Sequence, residues 1–182
     1  MHSPLLLQFI KEAKKLNSSL PILDLACGNG RNGLYCLQNH FPTVFADINK
    51  ACLQEIKQQI THHQVIYPAS LSFFWQVNFE DELQSPLAKN SYLAVIVFRY
   101  LHRPLFDQIK ASIVDGGFIV YETFTTKQAE FGRPKNPDFL LKEGELLRHF
   151  SGWKVLHYFE GIKESDAGNS KQAIAQIIAQ KF

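Results

Sequence analysis

The chain has 182 residues, 46% of them apolar and 20% charged, with 19 Lys and Arg against 17 Asp and Glu. That length supports one sizeable core burying roughly 70% of the surface the unfolded chain exposes, and the composition excludes disordered and fibrous classes. A charge excess of two is far from a clustered basic field, which argues against nucleic acid as a partner.

The longest apolar run, Tyr92 to Phe98, is seven residues, against the roughly 20 that a membrane-spanning helix needs. Leu5, Leu6 and Leu7 are followed at once by Lys11, Glu12, Lys14 and Lys15, which is no secretory signal, so a cytoplasmic protein without a membrane segment is expected. Cys27, Cys36 and Cys52 form no C-x-x-C pair and the histidines show no ligand spacing, so free thiols and no metal are expected.

Ser3-Pro4 reads as a cap with proline at the first helical position, and Leu6, Phe9, Ile10, Ala13 and Leu16 recur at helical spacing, giving an amino-terminal helix within residues 1 to 18. Leu20 to Leu25 is a strand that ends in Ala26-Cys27-Gly28-Asn29-Gly30, and a helix follows from Arg31 through Leu34, Leu37 and Phe41. The unit repeats: Thr43 to Ala46 is a strand stopping at Asp47, and Asn49 caps a helix that turns Leu53, Ile56 and Ile60 inward.

Leu71 to Val77 is a third strand, and Leu93 to Phe98 a fourth, apolar at every position as strands covered on both faces are. Arg103 to Val114 has a helical pattern, Asp115-Gly116-Gly117 a turn, and Phe118 to Phe124 is a fifth strand. Residues 125 to 140, marked by Gly132, Pro134 and Pro137, form a connection that is either a rigid surface loop or a substrate lid. A short helix from Glu143 to Phe150 precedes two closing strands, Val155 to Phe159 and Ala173 to Ala179, separated by a polar stretch from Lys163 to Lys171. The alternation predicts an α/β fold over 1 to 182: one doubly wound, Rossmann-like, mostly parallel seven-stranded sheet whose last two strands pair antiparallel at one edge.

Ligands of such sheets bind at the carboxyl ends of the strands where the strand order reverses. Gly28 and Gly30 sit at the first such end, where the backbone can approach a ligand closely. Asp47 follows Gly28 by 19 residues, the offset at which an acidic side chain accepts ribose hydroxyls. Gly33 completes G-x-G-x-x-G, so the pattern permits a dinucleotide; Asp24, four residues before Gly28, would repel a pyrophosphate and suits a cationic adenosine cofactor, S-adenosylmethionine.

Ile22-Leu23-Asp24-Leu25-Ala26-Cys27-Gly28-Asn29-Gly30-Arg31-Asn32 resembles the first motif of class I S-adenosylmethionine-dependent methyltransferases of the tellurite-resistance-like branch, and Leu141 to Leu146 resembles that branch's late helix. The resemblance covers nearly the whole chain in element order. It implies that the turn from Ala26 through Gly28 to Gly30 backs the methionine and ribose, with Asp24 near the amino end. It also implies that Asp47 holds the ribose with Ile48 beside it, that Asn78 and Phe79 border the adenine, and that Phe98 and Arg99 offer backbone carbonyl to the ammonium. Asn78 stands where the branch usually has Asp, and Lys163-Glu164 where it has His-Arg before Ser165-Asp166-Ala167; the second departure counts against a tellurium or selenium oxyanion as acceptor.

Methyl transfer from a sulfonium is mostly alignment, so few catalytic residues are needed. Candidates are Tyr100 and His102 after the fourth strand and Glu122 at the end of the fifth, with Arg133 and Asn136 as candidate substrate residues; His102 is equally suited to capping the next helix. The expected activity is in-line transfer of a methyl group from S-adenosylmethionine to a small-molecule acceptor, leaving S-adenosylhomocysteine, by a monomer or homodimer. The rival expectations are a cofactor-binding module without turnover and an RNA methyltransferase.

Overall fold

A computed structural model of the chain describes residues 2–63, 65–81, 85–164 and 170–182. Residues 165 to 167, singled out in the sequence, lie outside the described residues. The fold contains five α-helices, α1 (Leu5–Ala13), α2 (Arg31–Gln38), α3 (Lys50–His62), α4 (Leu105–Ser112) and α5 (Glu145–His149). Its strands are β1 (Ile22–Leu25), β2 (Thr43–Asp47), β3 (Ser72–Gln76), β4 (Tyr92–Phe98), β5 (Ile113–Phe124), β6 (Lys154–Glu164) and β7 (Lys171–Gln180). They form one seven-stranded sheet in the order β3-β2-β1-β4-β5-β7-β6. β1 to β5 run parallel, and β7 is antiparallel to both β5 and β6. The closing hairpin lies at the expected edge, with its antiparallel member on the inside and β6 outermost.

Strand parity sorts the core into two layers. Val95 and Val97 of β4 face α4 and α5 with Leu105, Phe106, Ile109 and Leu146. Ala94, Ile96 and Phe98 face the other way, where Leu6, Phe9 and Ile10 of α1 pack on them and Phe9 meets Phe118 edge to face. Farther along that side, Leu34 and Leu37 of α2 and Leu53, Ile56 and Ile60 of α3 close over Phe45. β4 is buried on both faces, which is why no alternation is visible in its sequence.

β5 and the closing strands differ from the sequence reading. β5 begins at Ile113 because Gly116 and Gly117 continue the strand through an irregularity in register opposite Tyr92 and Ala94. A side chain at Gly117 would meet main-chain oxygens of Leu93 and Val114, so the glycine permits strand contact there instead of breaking it. The closing strands are longer than their apolar centres: their polar ends pair from Lys163↔Gln172 to Glu164↔Lys171, which shortens the expected hairpin loop. Between β3 and β4 the described residues contain no helix; the connection itself supplies Phe79 and Leu87 to the core.

Gly33 in α2 lies where a Cβ would come within 2.5 Å of the Phe45 ring and 2.7 Å of the Asp24 carboxylate. Gly33→Ala is therefore expected to destabilise the fold by about 1–3 kcal/mol through overpacking, read as a lower denaturant midpoint at unchanged m-value.

Candidate active site

The strand order reverses between β1 and β4, and the carboxyl ends of these strands open a crevice there. On its β1 side the chain turns through Ala26 and Gly28, both with φ of 53°, and Gly30, with φ of 71°. A Cβ on Gly28 would meet nothing within 4 Å, so that residue opens onto free space. At Gly30 a Cβ would strike the Ile56 side chain of α3, so its bareness also seats the turn against a helix.

Two carboxylates hold this turn. Asp47 accepts the Gly28 N–H at 2.8 Å and the Asn49 N–H at 2.8 Å, one on each oxygen, and each oxygen has a further acceptor site. Asp24, 2% exposed, accepts the Gly33 N–H at 2.8 Å from the first turn of α2. Burial pushes its carboxyl up to about 8, an effect that the Gly33 hydrogen bond only partly offsets. Burial therefore favours its neutral form at neutral pH, a restraint that the sequence motif does not reveal.

The other expected cofactor residues end or follow β2, β3 and β4. Ile48 is 61% exposed at the tip of β2. Asn78 uses its side-chain oxygen to accept the Glu80 N–H at 3.0 Å. Phe79 turns its ring into the core, edge to face with Trp75. Phe98 is 9% exposed and packs on the α1 side. After it Arg99 adopts φ of 60° and donates its N–H to the Glu122 carbonyl at 2.8 Å, turning the chain sharply at the tip of β4.

Beside this tip lies a cavity of about 440 Å³ between the ends of β4 and β5 and the 125 to 140 connection. Tyr100, Leu101, Phe124 and Phe139 give it apolar walls, and Glu80, Arg99 and Arg133 reach it as charged groups. The Tyr100 hydroxyl is buried without a hydrogen-bond partner of good geometry among the described residues, and burial, then the Glu80 carboxylate, raise its pKa. His102 lines a smaller cavity of about 210 Å³ with Glu80, Leu101 and Phe139, residues common to both.

Two candidates stand elsewhere. Glu122 is not at the cavity: fully buried in β5, its carboxylate takes Arg99 at 3.1 Å, Lys163 at 3.9 Å and the Gln176 amide. That network also includes Gln172, which accepts from Arg99 at 2.7 Å, and it sets the Arg99 guanidinium 4.4 Å over the Phe124 ring. Thr123 and Phe124 line the cavity in its place. Asn136 does not line it either; it caps a short helical turn by accepting the Asp138 N–H at 3.1 Å.

The 125 to 140 connection is fastened at both ends by residues that the sequence did not single out. Gln128 is buried, accepts the Ala173 N–H of β7 at 2.8 Å and donates to the Arg133 carbonyl at 3.3 Å. Arg103 grips Glu145 through two nitrogens at 2.7 and 3.0 Å and donates to the carbonyls of Asp138 at 2.9 Å and Leu140 at 2.8 Å. An Arg and a Glu 42 positions apart carry no local signal of such a contact.

Asp24 links pH to stability. The folded chain keeps its carboxyl proton up to about pH 8, whereas the unfolded chain releases it near the ordinary value of 3.8. The folded state thus holds more protons in between, so this group's stabilisation is complete below about pH 4 and is lost as pH rises to about 8. Asp24→Asn is expected to flatten that part of the stability profile, measured by denaturant unfolding across the range.

Comparison with known proteins gives the family. The model described as tellurite resistance protein TehB matches residues 6–176. A probable S-adenosyl-L-methionine-dependent methyltransferase TehB of Haemophilus influenzae (strain ATCC 51907 / DSM 11121 / KW20 / Rd) is 22% identical over 182 residues, taking in 94% of this chain and 61% of that protein. This chain thus spans about three fifths of the length of that relative. The crystal structure of TehB from Haemophilus influenzae superposes with a TM-score of 0.75 at 20% identity, covering 96% of this chain and 62% of that one. A SAM-dependent methyltransferase from Methanosarcina mazei gives 0.69 at 14% identity, covering 99% and 98%. With residues 6–176 matched by the family model, the chain belongs to the tellurite resistance protein TehB family.

Proposed function

We propose that this chain binds S-adenosylmethionine at the tips of β1, β2 and β4 and transfers its methyl group to a small-molecule acceptor held in the adjoining cavity. The observation that carries the reading is the Asp47 carboxylate. It is locked by two backbone N–H groups beside the open face of Gly28, with an acceptor site left on each oxygen for a pair of ribose hydroxyls. Ile48, apolar and exposed, offers a face for the adenine, and the unused amide of Asn78 borders it. The positive ends of the ligand fall within the field of Asp24, which lies behind the turn.

When bound, S-adenosylmethionine supplies an electrophilic methyl on a sulfonium whose departure leaves a neutral thioether. The chain's contribution is placement: the turn fixes the donor, and Tyr100, Leu101 and Phe124 shape a mostly apolar chamber at the next strand tip that limits water. Glu80, which lines both cavities, and His102, which lines the smaller one, are the groups available to take a proton from a protic acceptor. The names of the Haemophilus influenzae relatives, probable S-adenosyl-L-methionine-dependent methyltransferases, agree with this reading.

Calorimetric titration with S-adenosylhomocysteine tests it. Saturable binding is expected, and Asp47→Ala is expected to weaken it by about 1.5–3 kcal/mol, the range for a hydrogen bond to a charged group. Unchanged affinity in that variant removes Asp47 from the ribose site. Because the ligand's ammonium favours the ionised form of Asp24, binding is expected to expel a proton at neutral pH and to tighten as pH rises to about 8. Asp24→Asn is expected to remove that dependence; formation of S-adenosylhomocysteine from S-adenosylmethionine with a metabolite extract separates an enzyme from a binding module.

A further inference from the structure

We infer that the acceptor is a small organic anion with an apolar body, seated in the cavity of about 440 Å³ with its anionic group on Arg133. The inference rests on the methyltransferase reading and adds the class of molecule. β4 lies between β1 and β5 in the sheet, so the cavity at the β4 and β5 tips adjoins the glycine turn and lies on the acceptor side of it.

Two cations reach this cavity and they are not equivalent. The Arg99 guanidinium is committed to Glu122 at 3.1 Å and Gln172 at 2.7 Å and stacks over Phe124, so it serves as wall. Arg133 is held by its main chain, whose carbonyl accepts from Gln128, while its exposed side chain makes no hydrogen bond or ion pair with any described residue. It is the cation at this cavity with its donors still to give. Glu80 disfavours an anion at its own part of the wall, which orients the ligand with its charge toward Arg133.

The remaining lining sets the body of the ligand. Tyr100, Leu101, Phe124, Pro134 and Phe139 present rings and aliphatic carbon. A bare inorganic oxyanion would leave those walls unfilled and would surrender its hydration for one guanidinium. A carboxylate or similar anion on a ring or short aliphatic frame fills the space and keeps its charge at the exposed Arg133. The volume is that of a site for one such molecule.

The test uses the full chain saturated with S-adenosylhomocysteine, with 4-hydroxybenzoate as anionic probe, 4-hydroxybenzamide as its neutral counterpart, and tellurite and phosphate as anions without an apolar body. Wild-type protein is expected to bind the benzoate at least about tenfold tighter than the benzamide and than either inorganic anion, as a charge-assisted contact to guanidinium predicts. Arg133→Gln is expected to bring benzoate and benzamide within about twofold of each other, with the melting temperature checking that this exposed substitution leaves the fold intact. The inference is overturned if neither aromatic probe binds at millimolar concentration, if the benzamide binds as tightly as the benzoate, if Arg133→Gln keeps the preference, or if tellurite or phosphate matches the benzoate. The preceding titration with S-adenosylhomocysteine alone is the separate readout: protein that does not bind it defeats the methyltransferase reading, whereas protein that binds it and ignores the carboxylate defeats only the acceptor assignment.

Discussion

The architecture of the crevice depends on one buried contact, the hydrogen bond from the Gly33 N–H to the Asp24 carboxylate. It brings the amino-terminal turn of α2, with its unsatisfied amides, against β1, and it works only because Gly33 leaves room for both the carboxylate and the Phe45 ring. With the helix start fixed there, the chain has five residues, Ala26 to Gly30, in which to pass from strand to helix, and three of them take positive φ to do so. The Cys27 N–H bonds the Ala46 carbonyl of β2, and Asp47 then closes on Gly28. A carboxylate on each side thus determines where the open face of the turn lies.

The tip of β4 is controlled from the opposite side of the crevice. Arg99 takes a left-handed conformation that a non-glycine residue adopts only under constraint, and both its N–H and its guanidinium are held by Glu122. Burying such a pair costs desolvation, and its value is in geometry: it stations a flat cation over Phe124 and gives the cavity a rigid back wall. The carboxylate in β5 that reads as chemical in the sequence is thus structural, and the group at the cavity is its neighbour, Thr123.

The strand–helix alternation and the switch point were legible because they rest on short-range patterns, an apolar run before Gly28 and helical spacing after Arg31. The start of β5 was not, because Gly116 and Gly117 are the usual marks of a turn, and only contact with Leu93 in β4 makes them strand. Gly28 and Gly30 look alike in sequence, yet one faces open space and the other Ile56, a difference set by a helix about 25 residues later. Phe79 carried the same ambiguity, since its position after β3 marks the crevice while its ring belongs to the core. Gln128, Arg103 and the buried group around Glu122 escaped because each is assembled from residues distant in the chain and matches no local motif.

The fastening of the 125 to 140 connection has an evolutionary consequence. Arg103 and Gln128 hold this segment largely by main-chain carbonyls, those of Asp138, Leu140 and Arg133, which every amino acid provides. Substitutions among residues 131 to 139 therefore leave the grip in place while changing what faces the cavity. A lineage can reshape the cavity by drifting within this stretch, with the glycine turn and the two core layers carried along unaltered.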